Sequence, residues 1–186
     1  MYEVGAHSDY MDPDAALERV NAILLELGIP LTYGADRKIP FFEEASQRVS
    51  VGVDIYGREQ TLETATAEAW HAMRNAAEID GIVLQLVSGF RSVEQQRDIL
   101  KRKLEKRLNI LEILRTSAAP GYSEHHTGRA IDITTPGSVP LNEEFEKTRA
   151  FEWLGKNAAR FGFQMSYPRE NPHGFVYEPW HWCHQS

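Results

Sequence analysis

The chain is 186 residues long, 42% hydrophobic and 25% charged, the size and make-up of one soluble globular domain. Its 20 Lys and Arg against 27 Asp and Glu leave a net charge of −7 at pH 7, the wrong sign for a protein that grips a nucleic-acid backbone. A single cysteine, Cys183, excludes an internal disulfide and a cysteine-based zinc finger, and neither a signal peptide nor a membrane span is visible. A monomer in the cytoplasm is expected for the chain as written, and a periplasmic or cell-wall location if a signal has been removed.

In chain order, a first helix is expected from about Pro13 to Leu27. Asp12 can cap it, and Leu17, Val20, Leu24 and Leu27 recur at helical spacing before Gly28 and Pro30 stop it. Residues 30 to 60 are broken by glycine and proline, with Val49, Val51 and Val53 alternating as in a strand. A second helix is expected from Leu62 to Glu78, with Ala65, Ala69, Met73 and Ala76 on one face. The run Ile82–Val87 then reads as a buried strand. Ser92 with Gln95 forms a capping-box pattern, so a long helix should run from Val93 towards Arg115 with Ile99, Leu104, Leu108 and Leu111 as its apolar stripe. On this reading the basic run Lys101–Arg107 is a solvated face. A loop from Thr116 to Gly128 leads to a strand at Ala130–Ile133. Asn142 caps a last helix that reaches Phe161, and strands at Phe163–Ser166 and Trp180–Trp182 close the chain. Neither a repeat nor a linker is evident. One domain is therefore expected, with an N-terminal helix and irregular extension (1–60) packed on a core (82–186) that carries the motifs.

Of the seven histidines, four fall in two segments that also carry carboxylates: Ser123-Glu124-His125-His126-Thr127-Gly128-Arg129-Ala130-Ile131-Asp132 and Glu178-Pro179-Trp180-His181-Trp182-Cys183-His184. Imidazole with carboxylate in a chain almost free of cysteine suits zinc. His125 and His126 point opposite ways in extended backbone, so only one of them faces a shared metal. Asp132 follows a turn containing Gly128, and His181 can supply a third ligand. Glu178 can face the same centre without ligating it, free to take a proton from water. His7 and His71 read as surface or core residues, His173 as a loop residue and His184 as frayed tail. Clusters of this kind also arise in hydrogen-bonded loops, so spacing alone leaves the metal site open.

Three segments taken together are more specific. Ser88-Gly89-Phe90-Arg91-Ser92 with Gln96, the pattern Ser123-x-His125-x-x-Gly128-x-Ala130-x-Asp132, and Glu178-Pro179-Trp180-His181-Trp182 resemble the signature blocks of the VanY-type zinc D-alanyl-D-alanine carboxypeptidases. That family also contains D-Ala-D-Ala dipeptidases, L,D-carboxypeptidases and some phage endolysins, and is similar in fold to the Hedgehog signalling domain. The resemblance covers about Ile82 to the end. It implies an α+β fold with a small, mostly antiparallel sheet that bears one zinc, flanked by helices. It implies His125, Asp132 and His181 as zinc ligands and Glu178 as catalytic base. Arg91 would hold substrate or stabilise developing negative charge, with Gln96 and Ser123 holding the terminal carboxylate or the peptide backbone.

Trp180 and Trp182 read as core aromatics, one of which also walls a pocket for the D-Ala methyl group. His126 falls at a variable position of the family, as a lining group. Cys183 stands where the family often continues through an Arg. It shares the face of His181 in a strand and reads as a small buried residue. The implied substrate is a peptidoglycan stem peptide or muropeptide ending in D-Ala, cut by D,D-carboxypeptidase, L,D-carboxypeptidase or dipeptidase action, the last needing a loop such as Thr116–Gly121 to close over the substrate. A non-catalytic zinc-stabilised binding module is the reading from another class, and Glu178 at the base position argues for the enzyme.

Overall fold

The computed structural model describes residues 13–185, so Asp12 and His7 fall outside the described part. Helix α1 (Pro13–Glu26) buries Val20, Ile23 and Leu24, and the turn α2 (Tyr33–Arg37) follows. Strands β1 (Arg48–Val53) and β2 (Glu59–Glu63) form an antiparallel hairpin. Of its three alternating valines only Val51 is buried, because the register shifts between Ser50 and Gly52.

Helix α3 (Thr64–Ile79) begins later than expected, since Leu62 belongs to β2 and pairs with Val49. Its buried face is Thr66, Ala67, Trp70, Met73 and Ala77, while Ala65 is exposed. Alanines recur on more than one face of this helix, and the large indole of Trp70 decides which face turns inward.

Strand β3 (Gln85–Ser88) is shorter than the apolar run before it, and Val83 is exposed. The capping box forms as expected at the start of α4 (Val93–Glu105): Ser92 Oγ accepts from Gln95 N–H at 3.1 Å, and Gln95 Oε1 accepts from Ser92 N–H at 2.8 Å. The helix does not continue to Arg115. Arg107 takes a positive φ of 62°, and a new turn, α5 (Ile110–Ile113), starts on an Asn109 cap. Leu108 and Leu111 are consequently exposed, and Ile113 and Leu114 fill the core instead.

Strand β4 (Ala130–Thr134) is buried along its whole length. Asn142 caps only a 3-10 turn at Glu143–Lys147, and Thr148 restarts the chain as α6 (Arg149–Asn157), with Gly162 ending the turn that follows. Strands β5 (Phe163–Met165) and β6 (His181–His184) complete the sheet. His184 is therefore no frayed tail. Its N–H donates to Arg129 O at 3.0 Å, and its Nδ1 lies 3.2 Å from Thr66 Oγ1. A Cβ on Gly162, which has φ 77°, would lie 2.8 Å from the His184 ring, so this corner requires glycine.

The four-stranded sheet has the order β3-β4-β6-β5, antiparallel throughout. Ile131, Ile133 and Trp182 pack with Trp70 and Met73 of α3 and Leu154 of α6 in one apolar cluster. A second cluster joins α1 to α4 through Val20, Leu24, Val93 and Leu100, and extends to Tyr122, Tyr167 and Phe175. Ser88 pairs with Asp132, and Asp132 pairs with His181. Directly paired residues share a face, so the sheet presents a polar row opposite its apolar side.

Candidate metal centre and its cavity

His125 comes from a 3-10 turn at Glu124–Thr127, Asp132 from β4 and His181 from the start of β6. Gly128 ends the turn with φ 66°, and a Cβ there would come within 2.8 Å of Glu63 N. Only glycine lets the chain reverse this close to β2 and return His125 over the sheet. The donor atoms of His125, Asp132 and His181 lie within 4.8 Å of one another, and all three residues are buried.

His125 Nε2 is 3.3 Å from Asp132 Oδ2, and His181 Nδ1 is 3.1 Å from Asp132 Oδ1. The remaining ring nitrogens face away and are held: His125 Nδ1 lies 2.7 Å from Gly89 O, and His181 Nε2 lies 2.8 Å from Glu124 Oε2. In the metal-free protein His181 is held by a carboxylate at each ring nitrogen; with the outer nitrogens donating, release of the inner proton would leave both inner nitrogens able to ligate a metal beside Asp132. Two imidazoles and one carboxylate, converging and oriented from behind, fit a zinc ion with a fourth position left open.

The electrostatics follow from the same contacts. Burial disfavours charge on Asp132, yet His125 and His181 hold its carboxyl well below the usual range. Burial pulls His181 down, but the hydrogen bonds of Asp132 and Glu124 outweigh it and push the imidazole up to about 10. Burial pushes Glu178 up to about 7 against the opposing pull of His181 and Arg91. Its position comes from a short turn in which Glu178 N–H donates to Tyr167 O at 3.0 Å and His181 N–H donates to Glu178 O at 3.1 Å.

A cavity of about 370 Å³ opens over this centre and is lined by His125, Asp132 and His181 together with Arg91, Ser123, Glu178 and Trp180. Arg91 Nη1 donates to Gln96 Oε1 at 2.8 Å, Nη2 donates to Ser88 Oγ at 3.0 Å, and Nη2 lies 3.9 Å from Asp132 Oδ2. Trp180 both lines the cavity and packs on the first apolar cluster, whereas Trp182 is core, its indole N–H donating to Pro179 O at 3.0 Å.

Gln96 departs from expectation. It is off the cavity wall and buried, with its Oε1 taken by Arg91 and its Nε2 donating to Ala118 O at 2.6 Å. Its amide spans guanidinium and backbone, so it positions Arg91 and does not itself face the cavity. His126 also stands outside the donor group. Its Nδ1 is 2.6 Å from Arg91 O, its Nε2 accepts from Gly121 N–H at 3.1 Å, and burial lowers its pKa to about 4. Cys183 is a free buried thiol pushed up to about 12 by burial, outside the donor group. His173 sits in a loop anchored to Arg37 O at 3.0 Å, and His71 is on α3.

Three contributors escape the sequence reading. Glu124, inside the second block, is the carboxylate that orients His181. Lys103, on α4, and Ser117 both line the cavity. The adjacency of Glu124 to His125 was a legible signal, whereas the inward turn of Lys103 was hidden inside a basic run.

A family model described as VanY, D-alanyl-D-alanine carboxypeptidase, matches residues 59–186. The putative carboxypeptidase YodJ of Bacillus subtilis (strain 168) is 34% identical over 127 residues, covering 67% of this chain and 46% of YodJ. The chain thus spans less than half the length of that relative. Among solved structures, the LD-carboxypeptidase LdcB is 31% identical with TM-score 0.68, covering 78% of this chain and 71% of that one. VanYB in complex with D-alanine-D-alanine is 25% identical with TM-score 0.63, covering 80% and 81%. The shared architecture is the expected α+β type, a small antiparallel sheet flanked by helices, similar to the Hedgehog/DD-peptidase fold. Among the described residues no helix is long and apolar enough to cross a membrane.

Proposed function

The chain belongs to the VanY D-alanyl-D-alanine carboxypeptidase family, and on that premise we propose that it is a zinc-dependent carboxypeptidase that releases the terminal D-Ala from peptidoglycan-type peptides. One observation carries the reading. A buried His125–Asp132–His181 donor set shares a cavity with Glu178, a carboxyl that stands outside the donor group. A purely structural zinc site has no use for such a group, and this favours the enzyme over a binding module. Residues 1–186 are taken as one peptidase domain, a view supported by the packing of α1 on α4.

His125, Asp132 and His181 would hold the zinc, which when bound supplies Lewis acidity to the scissile carbonyl and brings the pKa of a water towards about 7. Glu178 takes the proton from the attacking water and delivers it to the departing amine, a role open to it because it lines the cavity beside the donor set without belonging to that set. Arg91, fixed by Gln96 and Ser88, directs its guanidinium at the negative charge that develops on the carbonyl oxygen. Ser123 binds peptide backbone, and Trp180 walls the space for the D-Ala methyl group. Hydrolysis on this scheme passes through no covalent enzyme intermediate, so Ser88, Ser92 and Ser123 need not act as nucleophiles.

The similarity to LdcB supports a second reading, L,D-cleavage of a tetrapeptide. Purified protein is to be incubated with pentapeptide, tetrapeptide and D-Ala-D-Ala, and D-Ala release followed by mass. Release from pentapeptide supports D,D-activity, and release from tetrapeptide supports L,D-activity. A rate that persists after exhaustive chelation removes the zinc proposal.

A further inference from the structure

Lys103 is the member of the basic run that does not behave as a solvated cation. Its neighbour Lys101 pairs with Glu26 at the surface. Lys103 instead turns into the cavity wall, half-buried, where Nζ donates to Ser117 Oγ at 2.6 Å and lies 3.4 Å from Thr116 Oγ1. Among the described residues it forms no ion pair, and burial draws its pKa down. An ammonium in this position is costly unless an anion meets it. Ser117 accepts from the lysine, which leaves its own O–H free to donate to that anion.

The commitments of the two cavity cations identify the anion. Both feel the charge of Glu178, but Arg91 is also engaged by Asp132, Gln96 and Ser88, whereas Lys103 meets only hydroxyls. On the proposed mechanism Glu178 protonates the amine of the released residue. In any α-amino acid that nitrogen and the carboxylate are attached to one carbon. The carboxylate of the released residue therefore lies beside Glu178, within the field of the nearest cation that is free of an ion pair.

We propose that Lys103, with the hydroxyl of Ser117, binds the free α-carboxylate of the residue that is released and so restricts the site to cleavage at a carboxyl terminus. Arg91 is then left for the carbonyl oxygen. This assignment rests on the carboxypeptidase reading and deepens it. It also gives the Thr116–Gly121 loop a defined part, since its first two residues form the rim of the carboxylate site.

The test compares a peptide ending in free D-Ala with the same peptide ending in the D-Ala amide, for wild-type protein, Lys103→Met, Lys103→Arg and Ser117→Ala. Wild type is expected to prefer the acid. Lys103→Met is expected to lose about tenfold to a hundredfold in kcat/KM on the acid, as for a charge-assisted hydrogen bond, with little change on the amide. Lys103→Arg is expected to retain most of the preference, and Ser117→Ala to lose part of it. Zinc content and circular dichroism report whether each variant is folded. An acid-to-amide ratio unchanged in folded Lys103→Met overturns the proposal. Calorimetric binding of both peptides to zinc-loaded Glu178→Gln protein, with and without Lys103→Met, reads the same ratio without turnover. If wild type cleaves neither peptide but binding still discriminates through Lys103, the carboxylate site stands and the peptidase reading falls.

Discussion

The two faces of the central sheet are made by alternating residues of the same strands, yet they ask different things of the sequence. On one face Ile131, Ile133 and Trp182 need only fill space against α3 and α6. On the other, Ser88, Asp132 and His181 stand in one cross-strand row, and the side chains of these three each have a particular partner. A one-residue slip of β4 would exchange the two sets, burying a carboxylate among hydrocarbons and exposing two isoleucines. The apolar face thus fixes the register on which the polar face depends, and damage to each should be read by a different instrument.

The largest effect should come from Glu178→Ala, which is expected to lower kcat by about 10²–10⁴-fold while thermal unfolding and zinc content stay near wild type. Undiminished turnover would remove Glu178 from the mechanism. On the apolar face, Ile131→Ala is expected to cost about 2–5 kcal/mol in denaturant titrations, with activity per folded molecule nearly unchanged. A loss of zinc affinity in that variant would break the contrast between the faces.

Glu124→Gln sharpens the contrast from the polar side. It keeps the shape but weakens the acceptor behind His181, so zinc affinity in a chelator competition is expected to fall about tenfold to a hundredfold, and the metal-free protein is expected to lose stability at neutral pH because the charged imidazole loses one of its two carboxylates. The smallest effect is a pH dependence. Glu178 has a raised pKa in the folded protein, so its contribution to stability is full below the ordinary value of 4.5 and is lost as pH rises through about 7. Metal-free Glu178→Gln should therefore gain on wild type across that window, by an amount of the order of 1–3 kcal/mol. A difference that does not vary with pH would show that the carboxyl is not desolvated.

Some features were legible because they are local. The Ser92–Gln95 capping box forms from residues three apart, and Gly128 ends its turn with a positive φ that glycine adopts readily. The clustering of His125, Asp132 and His181 was legible for a different reason, because three short blocks carry a resemblance although nothing in their spacing brings them together. Where the reading failed, a non-local choice had been made. The helix after Ser92 breaks at Arg107 and so exposes Leu108 and Leu111, although the apolar spacing continues through both. Gln96 has the chemistry of a substrate-binding residue but is consumed between Arg91 and Ala118. His184 sits near the chain end but is paired in a strand.

Composition thus settled an acidic chain with a single cysteine, and the resemblance of three short blocks pointed to an α+β fold and to His125, Asp132 and His181 as a donor set, since both depend on which residues are present and in what order. Tertiary structure decided which nitrogen of each histidine faces inward, which carboxylate orients His181, and which lysine of a basic run enters the cavity. Those outcomes turn on contacts between segments far apart in the chain, such as Glu124 with His181 and Lys103 with Ser117. Burial then gives those contacts their weight, because charge costs most where water is absent.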